Sequence, residues 1–184
     1  MFIELSASLF PSTQAHGFYP KGSPDEDFSF SDAYNPVSFL SARACEARVW
    51  SIFRHVAGAS PFDRYLDYVL GKNLTNRMPL WIKPTKKLTL NDTMMLMRDH
   101  YEVSQLAFDK DVGAEAFGAP YRRSLLFDFA GKHYLHERAI AVIQTGFVMV
   151  SQSRGWLPRQ IGGIIWFGVD DASTAVYYPQ YSSA

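Results

Sequence analysis

The sequence predicts an α+β fold, with helices in its first half and an antiparallel β meander at its C-terminus. Three observations lead there. Between Ser38 and Gly58, apolar residues recur at three- and four-residue steps, the period of a helix with one buried stripe. Two short runs rich in aromatic residues flank Ala130-Gly131-Lys132, the composition of a hairpin turn. Beyond Ala139 the chain is rich in β-branched and aromatic residues, which suit a pleated surface.

The opening MFIELSASLF reads as the end of a helix and is a poor match to a signal peptide, having no basic start and no small-residue cleavage site. From Gly17 to Pro36, turn formers alternate with Phe28, Phe30 and Tyr34, which predicts a loop pinned by its aromatic rings. Ser38 suits the cap of the next helix. Its stripe is Leu40, Cys45, Val49, Ile52, Phe53 and Val56, which makes Cys45 a small core residue. Pro61 opens a shorter helix carrying Phe62, Tyr65, Leu66 and Val69, and Gly71 closes it. NRMPLWIKPTKK is extended between prolines. In TLND, a hydroxyl residue precedes an acid by three positions, so a third helix starts at Thr89 with Leu90, Met94, Met97 and Tyr101 on one face. Strands are predicted on both sides of Ala130-Gly131-Lys132 and over Ala139–Val150, Ile161–Val169 and Thr174–Tyr178, with a Trp156-Leu157-Pro158 corner between Ala139–Val150 and Ile161–Val169. The later runs are apolar on both faces, a pattern that asks for a covering layer on each side.

The chain's 184 residues, 47% of them hydrophobic, suffice for one domain with a core, and residues 1–184 read as a single domain. Eighteen basic and eighteen acidic residues cancel, which weighs against nucleic acid or an anionic membrane as partner. The longest apolar runs are too short and too interrupted to cross a bilayer. A single cysteine excludes an intrachain disulfide and a thiolate metal site.

No complete catalytic set emerges from short motifs. GAEAFGAP lacks the Lys-Ser/Thr pair of a phosphate loop, and no Gly-x-Ser-x-Gly elbow occurs. His133 and His136 would point to opposite faces of a strand. Asp170 and Asp171 read as acids making local turn hydrogen bonds. The best binding material is the loop Pro120-Tyr121-Arg122, placed at the entry to the strands. Arg122 suits a bidentate carboxylate anchor, and its alternative is an ion pair with Asp109 or Asp111.

Longer stretches carry a resemblance. MPLWIKPTKKLTLNDTMMLMRDHYE, KDVGAEAFGAPYRR, ERAIAVIQTGFVMVSQSRGWLP and IGGIIWFGVDDASTAVYYPQY, in this order, closely resemble the bacterial cysteine dipeptidases of the N-terminal-nucleophile (Ntn) hydrolases, and FSFSDAYNP and SARACEARVWSIFR are similar to the same family. The resemblance implies a four-layer αββα sandwich, in which the doubly apolar strands form an inner sheet. It also implies a hydrolase that attacks dipeptides with the thiolate of a cysteine at the mature N-terminus, without metal or cofactor. Cys45 does not match that position. On this reading the chain is the middle and C-terminal part of a larger dipeptidase, inactive alone, with the nucleophile upstream of Met1. Its partners would be the dipeptide and the missing N-terminal segment, and the uncovered sheet would favour self-association. The resemblance marks the GAPYR loop as a rim of the substrate cleft, and the residues expected to bind substrate there are Arg122, then Arg138, together with Tyr121. The alternative reading is a non-catalytic ligand- or protein-binding module, for which Trp50, Trp81, Trp156 and Trp166 offer little if all are core.

Overall fold

The structure, a computed structural model, describes residues 9–24, 27–111, 113–114, 116–122 and 126–181. The start read as a helix end, residues 1–8, and the second arginine of the GAPYRR stretch, Arg123, lie outside the described residues. The chain divides into two compact units, residues 1–38 and 39–184.

In the first unit, helix α1 (Leu9–Ala15) and the short helix α2 (Phe30–Tyr34) flank the aromatic loop. Ser29 caps α2, its hydroxyl accepting from the Asp32 N–H. The predicted pinning is present: Phe10, Tyr19 and Phe28 pack edge to face, with centroids 5.2 to 5.6 Å apart. Thr13 and Tyr34 hydroxyls meet at 2.8 Å.

The second unit is α+β, as predicted. Its first helix is composite: α3 (Phe39–Ser41), a π-helical segment Ala42–Glu46, and α4 (Ala47–Ala57) ended by Gly58 at φ 91°. The π segment widens one turn and shifts the helical phase. The buried stripe becomes Ala42, Ala47, Trp50, Ser51 and Val56, while Leu40, Cys45 and Val49 turn to solvent. Cys45 is therefore exposed rather than core, a correction that a regular 3.6-residue count cannot anticipate.

A 3₁₀ turn, Ser60–Tyr65, leads into α5 (Leu66–Val69). Phe62, Tyr65 and Val69 are buried, and the Trp50 indole N–H donates to the Phe62 carbonyl at 2.9 Å, tying this segment to α4. Helix α6 (Leu90–Leu96) starts on the predicted capping box, in which Thr89 and Asp92 satisfy each other's backbone N–H. It ends one turn earlier than its apolar spacing suggests, because Tyr101 lies beyond it in a left-handed conformation, φ 66°. Tyr101 is nonetheless fully buried, edge to face with Phe108.

Strands β1 (Leu126–Phe129) and β2 (Lys132–Leu135) form the expected hairpin. Its two-residue turn, Ala130-Gly131, has φ of 50° and 73°, the left-handed pair that suits a tight hairpin. Strands β3 (Phe147–Ser153), β4 (Gly163–Val169) and β5 (Tyr178–Tyr181) form a separate antiparallel sheet in the order β3-β4-β5, with the one-turn helix α7 (Arg159–Gly162) following the Trp156-Leu157-Pro158 corner.

Two predicted strands are shifted. Residues 139–145 stay irregular because the Ala141 N–H donates to the Asp99 carbonyl and the Thr145 N–H to Val142, which leaves neither for a ladder. The N–H groups of Thr174 and Ala175 both donate to the Asp171 carbonyl, so a turn occupies the predicted last strand and β5 begins at Tyr178. That turn packs Ala172 and Ala175 on Val148 and Ala141. Gly168 is required here: a Cβ would lie 3.0 Å from the Ala175 Cβ and 3.1 Å from Val148.

The register sorts the two faces of the sheet. Val148, Val150, Ile164 and Gly168 are buried on one face. On the other, Phe147 (60%), Met149, Ile165, Val169 (61%) and Tyr178 remain exposed. One covering layer comes from this chain, and among the described residues none covers the second face.

Candidate functional site

Two hollows in the second unit gather its polar side chains. The first, about 420 Å³, is lined by Tyr121, Ile143, Asp170, Asp171 and Thr174. It joins the loop before β1 to the end of β4. Asp170 sits at φ 70°, its carboxylate accepting from the Asp171 N–H at 2.8 Å, and Asp171 accepts from the Ser173 N–H at 2.8 Å. The local turn bonds read from the sequence are present.

Arg122 is buried beneath this loop. Its guanidinium donates to the carbonyls of Gly113 (2.9 Å) and Phe108 (3.0 Å) and to Asp111 (2.5 Å), and it stacks 4.3 Å above the Phe108 ring. The ion pair with Asp111 is one of the two alternatives the sequence left open, and it pins the 108–113 loop. Tyr121 is half-buried, edge to face with His100 at 6.1 Å, and lines the hollow. Arg138 is exposed: its backbone carbonyl accepts from the Tyr101 hydroxyl at 2.6 Å, and its neighbour Glu137 pairs with Arg43. The structure thus puts Tyr121 on the hollow and Arg122 under it, and neither Arg122 nor Arg138 lines it.

The second hollow, about 410 Å³, has an apolar floor including Val56, Leu88 and Leu96, and a polar edge of His55, Asp99 and Glu102. Short-motif reasoning missed this cluster. Asp99 is buried, accepting from the Ser51 hydroxyl at 2.7 Å and lying 3.0 Å from His55 Nε2. Its hydrogen bond to Asp99 raises the His55 pKa against the opposing cost of partial burial. For Glu102, burial disfavours the charge, but hydrogen bonds from the His100 ring and backbone outweigh it and draw the carboxyl down to about 2. The signal available in the sequence was Arg98-Asp99-His100-Tyr101-Glu102, four charged or titratable side chains and a tyrosine at the end of a helix.

Ser51, Asp99 and His55 are the residue types of a hydrolytic triad in the wrong order. The Ser51 hydroxyl donates to the carboxylate rather than to the imidazole, and His55 meets the other carboxylate oxygen, so the serine–histidine hydrogen bond that defines such a triad is replaced by one to Asp99. Cys45 lines neither hollow, and its nearest polar contact is Arg48, 3.7 Å from the sulfur.

Among the described residues, no group of three His, Cys, Asp or Glu side chains could hold a metal ion. His133 bonds Asp128 across the hairpin at 2.5 Å, while His136 packs on Phe127. Trp50 is core and Trp166 half-buried, but Trp81 (78%) and Trp156 (79%) are exposed, against the tendency of such indoles to be core. Both lie in segments without regular structure, where no packed layer claims them.

Comparison with known proteins gives one result. The family model described as peptidase family C69 matches residues 4–184. No curated protein and no solved structure matches.

Proposed function

Because this chain belongs to peptidase family C69, the cysteine dipeptidase family, we propose that it is part of a cysteine-type dipeptidase. Its nucleophile would be an N-terminal cysteine outside these 184 residues. The observation that carries this reading is the open sheet face: Phe147, Met149, Ile165 and Val169 are exposed on strands whose opposite face is buried. An apolar face of this kind is stable in water only when another layer covers it. A second sheet packed there would make the inner pair of a four-layer Ntn sandwich and bring the thiol with it.

In that assembly the cysteine thiolate adds to the scissile carbonyl, and the carbon–nitrogen bond breaks. The leaving amine takes a proton from the α-ammonium of the same cysteine, and water then cleaves the thioester. Tyr121 is the residue of this chain that contacts the dipeptide, since it lines the 420 Å³ hollow. Arg122 acts one step back, holding the loop that presents Tyr121. Arg138 keeps an exposed guanidinium for a carboxylate. Cys45, an exposed internal thiol, takes no part.

The test compares the 184-residue chain with a longer polypeptide that includes the upstream coding sequence, on a dipeptide panel. The expected result is no hydrolysis by the chain alone, and hydrolysis by the longer protein that thiol alkylation abolishes and Cys45→Ser leaves intact. Turnover by the chain alone that Cys45→Ser removes would refute the proposal. The exposed indoles of Trp81 and Trp156 favour a second reading, a ligand- or protein-binding module. Stabilisation of the chain alone by a peptide or sugar in a thermal-shift screen, lost on Trp81→Ala, would support that one.

A further inference from the structure

A third, much smaller cavity is lined by two side chains that each carry a polar atom without a partner among the described residues. His100 is 5% exposed. Its backbone N–H donates to Glu102 Oε2 at 2.7 Å, and its ring Nδ1 lies 3.3 Å from Glu102 Oε1. A carboxylate only accepts, so Nδ1 carries a proton, and in the neutral ring Nε2 then presents a lone pair. Nε2 is fully buried with no donor among the described residues. Asp171 is 3% exposed; one carboxylate oxygen accepts from the Ser173 N–H, and the other, Oδ2, is buried with no partner.

Both side chains line the same cavity of about 10 Å³, with Tyr121, Ala141 and Ile143 among the walls. Two buried acceptors beside one small space call for a single species with two hydrogens to give. Charged groups the size of an ammonium on a side chain have no room, whereas a space of about this volume is what one water needs. We propose that the cavity is a specific site for one water molecule, which donates one hydrogen to His100 Nε2 and the other to Asp171 Oδ2.

The site adds a second link between two turns that Arg98 already joins, its guanidinium donating to the Ala175 carbonyl at 2.8 Å. On one side is the segment through Tyr101, on the other the turn through Asp170, and both residues adopt left-handed backbone conformations. Each costs conformational energy and persists only where its surroundings fix it. The water completes a hydrogen-bonded chain, Glu102 to His100 to water to Asp171, that runs from the edge of the 410 Å³ hollow to the wall of the 420 Å³ one. Because His100 packs edge to face against Tyr121, His100 and Asp171 are positioning residues for that ring. This inference stands apart from the peptidase reading, since it concerns only groups inside this chain.

The experiment uses nuclear magnetic resonance of the purified chain with ¹⁵N-labelled histidine. The expected outcome is His100 in the Nδ1–H tautomer, and a long-lived water giving cross-peaks to the His100 Hε1 and the Ser173 N–H. In His100→Phe, which removes one acceptor and keeps a ring against Tyr121, the water cross-peak at Ser173 should be lost. Three results would overturn the proposal: no long-lived water in the parent chain, His100 in the Nε2–H tautomer bonded straight to Asp171, or a water signal that survives His100→Phe. Should that variant fail to fold, the tautomer and the water signal of the parent chain decide.

Discussion

The second unit contains one region that closes on itself and one that does not. Around α4, the residues Trp50, Ser51, Asp99 and Tyr101 are buried, and their polar atoms find partners within the chain. The β3-β4-β5 sheet is finished on one side only, where alanines and Gly168 let the 172–175 turn approach. Its other side carries a row of large apolar side chains in contact with water. The difference separates the contacts this chain makes for its own stability from apolar surface that the described residues leave exposed. Substitutions should divide accordingly, with large stability effects in the closed region and small ones on the open face.

The largest effect is expected at Trp50. Truncation to alanine removes a fully buried indole and leaves the Phe62 carbonyl without its donor. Loss of packing of that size costs about 3–5 kcal/mol, to be read from the urea unfolding midpoint. A change below 1 kcal/mol would mean that α4 is not the centre of the closed region. Next comes Asp99→Ala, which strands the Ser51 hydroxyl and the His55 ring at once. Hydrogen bonds to a buried charge set the scale at roughly 2–3 kcal/mol. Ser51→Ala should cost less, because it removes only one of the two partners.

The closed region was only partly legible in the sequence. Caps and turns could be read, because they rest on one residue's own chemistry: Thr89 with Asp92, Gly58, Gly71 and Gly131 all behave as their types require. Periodicity failed where backbone hydrogen bonding changed step. One π turn moved Cys45 from core to surface, and Tyr101 was buried by a left-handed turn rather than by helical spacing. The Asp99 cluster joins Ser51 and His55 to residues more than forty positions later, a distance over which no local pattern exists. Tyr121 and Arg122 were found because a loop entering strands is a good place for binding groups, but which of them points into the hollow depends on carbonyls at Phe108 and Gly113.

A pH titration sharpens the contrast at lower amplitude. His55 has its pKa raised above the ordinary 6.5, chiefly by the hydrogen bond to Asp99, with Glu102 assisting and burial and Arg54 opposing. A raised folded-state pKa contributes stability that is complete below about 6.5 and disappears as the pH climbs through the folded value. The His55 side chain is 43% exposed, so solvent screening holds the contribution under about 1 kcal/mol. Unfolding midpoints should therefore fall between neutral and mildly alkaline pH in the parent chain, and His55→Gln should flatten that slope. An unchanged slope in His55→Gln would move the titrating group elsewhere.

The smallest stability effect is predicted where the functional consequence is greatest. Phe147→Ser combined with Val169→Thr replaces two side chains that are about 60% exposed on adjacent strands. Exposed positions away from caps and cores change folding free energy by no more than about 0.5 kcal/mol each, so the double variant should unfold near the parent. Sedimentation should tell the two apart: the parent chain associates through the open face, and the variant shifts toward monomer. If the variant were as unstable as Trp50→Ala, the face would have to be covered within the chain. A monomeric parent would mean that water alone is an adequate neighbour for these residues. In the longer polypeptide the same pair of substitutions should cost far more than in this chain, because there the face would be core. An equal cost in the two proteins would mean that no residues outside 1–184 cover this face.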